Sequence, residues 1–497
     1  MAETKLILLS FLLLCFLQNI AAKAIVKHLP GVVSPLPFEL ETGYVNVGDG
    51  HYAYYFVKSY NKPATDPLLF SFAGGPGCSS LAILLFGQGP LTINMIPFNG
   101  SIPTFSVNPN SWTHVANIVY IDQPVDTGFS YSTNLQGAYS DDISSAKTSH
   151  IFIKKWLDDH QDFQSNPVYV VGDGYGGIVL PILVQNIANG NDAGEKPLVN
   201  LKGYFLGNPI VNRHLERNAA IEFAHGMALI SEELFESVQK TCGREYVYVD
   251  PNNVECLKDL QDVTECLQDL NLYQILNRNC FPRSKSQMIT KISRGGNLYK
   301  EKSREASISP LPDMEKLSCE NEAAYRNRRS LEENSKSRLL SPPPPFDTRC
   351  NLVYLDWLNH YYVNNETVQD ALHIRKGTVP DWQRCNQCGI KYTRNVVNSF
   401  DYYADLSKRG IRSLIYSGDY DYSVPFMSTQ SWIKSLNYSI TDDWRPWTVD
   451  GQVAGFTRTY ANNMTYATVK GTGHASPEYK PEECLAMVKR WLSNEPL

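Results

Sequence analysis

The stretch Val168-Tyr-Val-Val-Gly-Asp-Gly-Tyr-Gly-Gly177 constrains this chain more than any other. A β-prone apolar run breaks into a glycine-dense turn. Ile178-Val-Leu-Pro-Ile-Leu-Val-Gln185 then reads as a buried helix. Strand, sharp turn and helix in that order make a nucleophile elbow, where the central residue of G-x-S-x-G lifts a hydroxyl toward substrate. Here that residue is Gly174, which has no side chain. The frame is that of a serine hydrolase or acyltransferase, and its nucleophile is missing.

An elbow of this kind needs a mostly parallel sheet beneath it. Leu68–Phe72, Ile118–Ile121, Val168–Val171, Ser413–Tyr416 and Met464–Val469 are short apolar runs suited to strands buried on both faces. Tyr44–Val47 and His51–Val57 flank Gly48-Asp-Gly50 as a hairpin. Pro481–Leu492 reads as a closing amphipathic helix. The class is therefore α/β, with helices on both faces. Helical patterns at Asn218–His225 and Ser231–Lys240 lead into a cysteine-bearing stretch. Residues 283–345 then turn rich in Lys, Arg, Ser and Glu and end in Pro342-Pro-Pro-Pro-Pro-Phe346. The expected organisation is a signal peptide at 1–22, a first core part at 23–210, an inserted lid and mobile linker at 211–345, and a second core part at 346–497.

The signal is Lys5 followed by an apolar run from Leu6 to Leu17, with small residues at Ala21, Ala22 and Ala24. That run is too short to span a bilayer, so cleavage is expected and no membrane anchor. Removing Cys15 from the 11 cysteines leaves an even number, which suits an oxidising compartment. Sequons at Asn99, Asn365, Asn437 and Asn463 mark glycosylation candidates. A net charge of −6 gives no reason to expect nucleic acid as a partner. Vacuole and extracellular space are both open as destinations.

In such folds the acid and base follow the nucleophile in that chain order. The acid candidate is Asp421 in Ser417-Gly-Asp-Tyr-Asp-Tyr-Ser-Val-Pro425, and the base candidate is His474 in Val469-Lys-Gly-Thr-Gly-His-Ala-Ser-Pro477. Each lies just past an expected strand, where ligand sites of open α/β sheets collect. Alone, they read mostly as a capping aspartate and a surface histidine; together, in order behind an elbow, they favour a triad. The loop Gly74-Gly-Pro-Gly77 follows Leu68–Phe72, and Gly75 with Tyr175 is the natural pair of backbone donors for an oxyanion.

These segments, with Gly74-Gly-Pro-Gly-Cys-Ser-Ser80, Asp122-Gln-Pro-Val125 and Gly473-His-Ala-Ser-Pro-Glu-Tyr479, resemble the plant serine carboxypeptidase-like family from about residue 30 onward. Asp173, with Asp442-Asp-Trp-Arg-Pro-Trp447 and Gly451-Gln-Val-Ala-Gly-Phe-Thr-Arg-Thr-Tyr460, resembles its acyltransferase branch, which uses glucose esters of phenolic acids. The resemblance implies an α/β-hydrolase fold and a triad at 174, 421 and 474. It also implies disulfides Cys78–Cys385 and Cys242–Cys256, and a bridge from Cys266 or Cys280 to Cys350. Partners for Cys319, Cys388 and Cys484 stay open. No metal and no cofactor is expected.

Departures from the family cluster at the site. Besides Gly174, Gly87 stands where the family has a substrate-holding glutamate. Ala73 and Ser71 replace a polar residue and a tryptophan, and Asp126 and Thr472 replace glycines. Asp173, Ala73, Gly87 and Asp126 are the expected pocket residues. The resulting expectation is a scaffold without acyl-serine chemistry. It would act as a companion in a hetero-oligomer with a catalytic relative that acylates plant phenolics, galloylation included. A phenolic glucose ester is the expected ligand. The alternative is an acyltransferase or carboxypeptidase-type hydrolase of altered mechanism, in which His474 and Asp421 activate water or an acceptor hydroxyl directly.

Overall fold

The computed structural model describes residues 23–280 apart from 34 and 136, residues 309–312 and 346, and residues 351–497. The expected signal, most of the charged excursion, and Cys319 and Cys350 lie outside these residues.

A twelve-stranded sheet organises the chain. Its main strands are β1 (Ala24–Val26), β2 (Leu40–Val47), β3 (Gly50–Val57), β4 (Leu68–Phe72), β5 (Asn117–Ile121) and β6 (Val168–Asp173). They continue with β7 (Leu201–Gly207), β8 (Arg412–Gly418), β9 (Ile440–Val449), β10 (Gln452–Tyr460) and β11 (Met464–Val469). The order across the sheet is β1-β2-β3-β5-β4-β6-β7-β8-β11-β10-β9, with Tyr131–Ser132 pairing onto β3. The six central strands, β5 to β11, run parallel. Antiparallel strands flank them on both sides. This is an α/β-hydrolase arrangement. Alternation along β4 shows why both faces are covered: Leu69 enters one core, while Leu68, Phe70 and Phe72 enter the other.

Helix α1 (Asp142–Asp159) and helix α2 (Gly176–Asp192) cover one face, and Trp156, Ile178, Leu183 and Ile187 are fully or almost fully buried there. Pro181 lies inside α2 and cannot donate to the carbonyl of Gly177, which would ordinarily be orphaned. Ser399 Oγ at 2.8 Å and Tyr403 OH at 3.0 Å donate to that oxygen instead. The elbow helix thus runs on through its proline.

Three helices follow β7: α3 (Arg213–Gly226), α4 (Glu232–Cys242) and α5 (Val254–Leu267). Asn212, Ser231 and Asn253 cap them, each accepting from a backbone N–H of the first turn. They pack around Ile221, Phe223, Val238, Leu260 and Val263, a core separate from the two that cover the sheet. Cys242–Cys256 ties α4 to α5.

The β9–β10 hairpin has no counterpart among the sequence-based strands. Three register shifts interrupt its pairing and Pro446 sits within β9, so its pattern lacks clean alternation. Among the described residues, no helix is long and apolar enough to cross a membrane.

Candidate active site

Gly174 follows directly on β6, with φ of +49°. An L-residue there pays a left-handed penalty that glycine escapes. Its N–H donates to Gly207 O at 3.0 Å. Its carbonyl accepts from Ile210 N at 2.8 Å and Gly177 N at 3.0 Å. These bonds hold the turn around Gly174.

The loops after β8 and β11 bring Asp421 and His474 together. His474 Nδ1 lies 2.7 Å from Asp421 Oδ2. Asp421 is fully buried and also accepts from Asn208 Nδ2 (2.8 Å), Ser423 N (2.8 Å) and Val424 N (3.1 Å). Because a carboxylate can only accept, Nδ1 carries the proton and Nε2 is left to face the elbow. A Cβ placed on Gly174 would lie only 2.8 Å from Nε2. The imidazole therefore stands against the elbow, closer than a side chain at 174 would permit. Burial works against the imidazolium, but the Asp421 carboxylate and its hydrogen bond, with Asp173 and Glu478 nearby, raise the His474 pKa above its ordinary value.

The oxyanion loop lies directly on the elbow. Gly74 N donates to Asp173 Oδ1 at 2.7 Å, and a Cβ on Gly74 would lie 3.1 Å from Tyr175 N. Gly75 and the Tyr175 N–H, the two expected donors, thus belong to adjacent segments. Asp122 is fully buried and holds the loop from below. It accepts from Ser79 Oγ, Ser80 N, Phe129 N and Tyr55 OH at 2.7–3.0 Å. Cys78–Cys385 closes it from the side, alongside Ser79 N to Arg384 O and Asn386 N to Gly77 O. Tyr175 is fixed by its ring: its hydroxyl donates to the buried Asp142 at 2.7 Å, as does that of Tyr392 at 2.9 Å. Burial pushes the Asp173 carboxyl up, against the pull of His474, Gly74 N and Arg384.

Sequence reasoning missed Asp142, Tyr392, Arg384 and Tyr273. Their separations from the motifs are long, so no local pattern points to them. Glu478 sits inside the His474 motif and could have been singled out. It pairs with Arg384, which also lies over the Phe86 ring at 4.5 Å.

The departures differ in kind. Gly87 has φ of +106°, and a Cβ there would meet Pro477 O at 2.7 Å. The backbone at Gly87 follows a course that only glycine takes comfortably. Asp126 holds φ of +65° in spite of its Cβ, and burial raises its pKa. Thr472 is fully buried and spends its hydroxyl on Val469 O at 2.9 Å. Ala73 is half-buried, its N–H donating to Ser80 Oγ; Ser71 lies buried in β4. Ser79 and Ser80 do not replace the nucleophile: their hydroxyls are committed to Asp122 and to Ser71 O. Among the described residues, no hydroxyl or thiol hydrogen-bonds His474 Nε2.

Both disulfides expected within the described residues form, Cys78–Cys385 and Cys242–Cys256. Cys280 and Cys388 are also disulfide-bonded, whereas Cys266 and Cys484 are free. That removes Cys266 as a bridging candidate and leaves Cys280, and a cysteine in a packed core needs no partner. Cys484 is such a residue, fully buried in the closing helix. Asn99, Asn437 and Asn463 are exposed, and Asn365 is half-buried at a helix N-cap.

A family model described as serine carboxypeptidase matches residues 30–494. The chain belongs to the serine carboxypeptidase family. It is 44% identical over 492 residues to serine carboxypeptidase-like 10 of Arabidopsis thaliana, covering 98% of each chain. Serine carboxypeptidase-like 19 of the same plant is 42% identical over 502 residues, covering 100% of both. Among solved structures, KEX1(DELTA)P, a prohormone-processing carboxypeptidase from Saccharomyces cerevisiae, superposes with a TM-score of 0.68 at 18% identity over 95% of each chain, a likeness of fold. The protein is a serine carboxypeptidase-like protein of the plant type whose Asp421 and His474 meet across an elbow carrying Gly174.

Proposed function

We propose that this protein is a non-catalytic member of the acyltransferase branch, serving as companion to an active relative in the acylation of plant phenolics. One observation carries the reading: the elbow position is a glycine, and His474 Nε2 stands 2.8 Å from where its Cβ would be. A covalent route needs an attacking oxygen within reach of the base. Losing a triad serine removes on the order of 10⁶ in kcat. The scaffold around the gap is kept, with Asp421 fully hydrogen-bonded, the oxyanion loop clamped and the disulfides formed. Such upkeep without a nucleophile fits a role in binding another chain or holding a phenolic glucose ester. The secretory route, with vacuole or extracellular space as destination, is part of this proposal, and the disulfides fit it.

Co-expression tests it. The tagged chain should co-purify with a catalytic relative and raise that relative's abundance or acyl-transfer rate. Purified alone, it should not turn over a phenolic glucose ester. Turnover by the lone chain that disappears in His474→Gln would replace this reading with the direct-water mechanism.

A further inference from the structure

Four consecutive residues of the insertion bond to both loops of the acid–base pair. Leu272 O accepts from Tyr422 N at 3.1 Å and Ser423 N at 3.2 Å, just after Asp421. Tyr273 O accepts from His474 N at 2.7 Å. Gln274 Nε2 donates to Gly471 O at 3.1 Å, and Ile275 N donates to Tyr420 O at 3.2 Å. The Tyr273 ring stands 5.6 Å from the imidazole, tilted by 58°. The approach is so close that a Cβ on Gly473 would fall 1.9 Å from Tyr273 O. At their roots the two loops bond each other, through Tyr420 N to Thr472 O and Gly471 N to Asp419 Oδ1. Further out, the backbone N–H groups of 422, 423 and 474 turn to the insertion.

We propose that Gln274, with the strap Leu272–Ile275 that carries it, is a positioning element for the His474–Asp421 pair. The insertion then sets where the imidazole stands relative to Gly174. Gln274 is 2% exposed, so its amide is held in a packed site. Leu272 packs into the insertion's own core with Leu267, Val263 and Tyr422. The strap is thus anchored to the helices on one side and to the catalytic loops on the other. Displacing the helices would withdraw acceptors from three buried or half-buried amides and release the imidazole. This inference does not rest on the companion reading, because it concerns the geometry of the pair and not its use.

The test reads the imidazole itself. Carbethoxylation by diethyl pyrocarbonate, followed at the His474 peptide by mass spectrometry from pH 5 to 8, reports the neutral ring. The groups that set its titration are Asp421 on the loop after β8, Asp173 on the elbow, and Glu478 with its partner Arg384. Gln274→Met keeps the volume and loses the donor. It should loosen the Asp421 contact and lower the apparent pKa by about half a unit, a roughly threefold gain in neutral imidazole at pH 6. Leu260→Ala, which opens the insertion's core away from the strap, should leave the titration unchanged at a comparable loss of Tm. An unchanged titration in Gln274→Met, or an equal shift in Leu260→Ala, overturns the proposal. If Gln274→Met is not secreted, hydrogen exchange on the unaltered chain decides. The amides of Tyr422, Ser423 and His474 should open together with that of Ile275. Opening together with the β8 and β11 amides would overturn it.

Discussion

Restoring the serine is the sharpest perturbation. Gly174→Ser adds a Cβ at φ of +49°, a conformation that costs an L-residue about 1–2 kcal/mol. The same Cβ would sit 2.8 Å from Nε2, so the imidazole must retreat by roughly 0.6 Å to reach an ordinary 3.4 Å contact. The ring cannot swing freely, since Nδ1 is tied to a fully buried Asp421 and the backbone N–H to Tyr273 O. The sum is a destabilisation of roughly 1–3 kcal/mol. For a chain this long, ΔS of unfolding is about 1 kcal/mol/K, so Tm should fall by only about 1–3 °C. Differential scanning fluorimetry on Gly174→Ala and Gly174→Ser measures it, and both should fall alike because both add the same carbon. Hydrolysis of p-nitrophenyl acetate separates them: the serine variant should gain on the order of 10²-fold over the parent and the alanine variant nothing. That gain lies well short of the ~10⁶ attributable to a triad serine, because the imidazole must first retreat from the new side chain. A rise in Tm for either variant would refute the contact and backbone reasoning. Equal hydrolysis by serine and alanine variants would refute the assignment of position 174 as the nucleophile's seat.

Three further outcomes are expected. Gly87→Glu should be poorly accommodated. With φ of +106° and Pro477 O at 2.7 Å from the new Cβ, it should cost about 2 kcal/mol or more and lower Tm. Replacing Cys78 and Cys385 together by serine removes a link of 307 residues' separation, which by loop closure is worth about 6 kcal/mol at most; urea unfolding should show a midpoint shift, with Tyr175 and the oxyanion loop becoming protease-sensitive. Burial pushes Glu216 up to about 8 and His474 is also raised, so both groups bind protons more tightly in the fold. Their contribution is therefore full below the unfolded pKa values and lost as pH rises toward 8. Tm should fall from pH 5 to 8, and Glu216→Gln should flatten that slope.

How far the sequence reached depended on distance along the chain. β4, β11 and the closing helix coincide with their apolar runs because buried parallel strands and a helix starting at Pro481 carry local signals. The hairpin β9–β10 escaped because its bulges break the period of two. Gly174, Asp421, His474 and the glycine loop were legible as motifs, each being a short turn that needs particular residue types. Asp142 gripping Tyr175 from 33 residues away, and Arg384 gripping Glu478 from 94, leave no such trace.

The sequence by itself determined the missing hydroxyl, since a glycine at the centre of an elbow is a fact of composition that no folding can alter. It also determined the class of fold, through apolar runs whose period and length admit little else. Only the tertiary structure decided what fills the gap. The imidazole stands against Gly174, on a loop that Asp421 and the adjacent pair Tyr273 and Gln274 reach from two distant parts of the chain. It likewise separated Gly87, whose backbone lies where only glycine is comfortable, from Thr472, whose hydroxyl has a partner in Val469 O. Those distinctions depend on φ angles and on neighbours across the fold, which pattern along a chain does not encode.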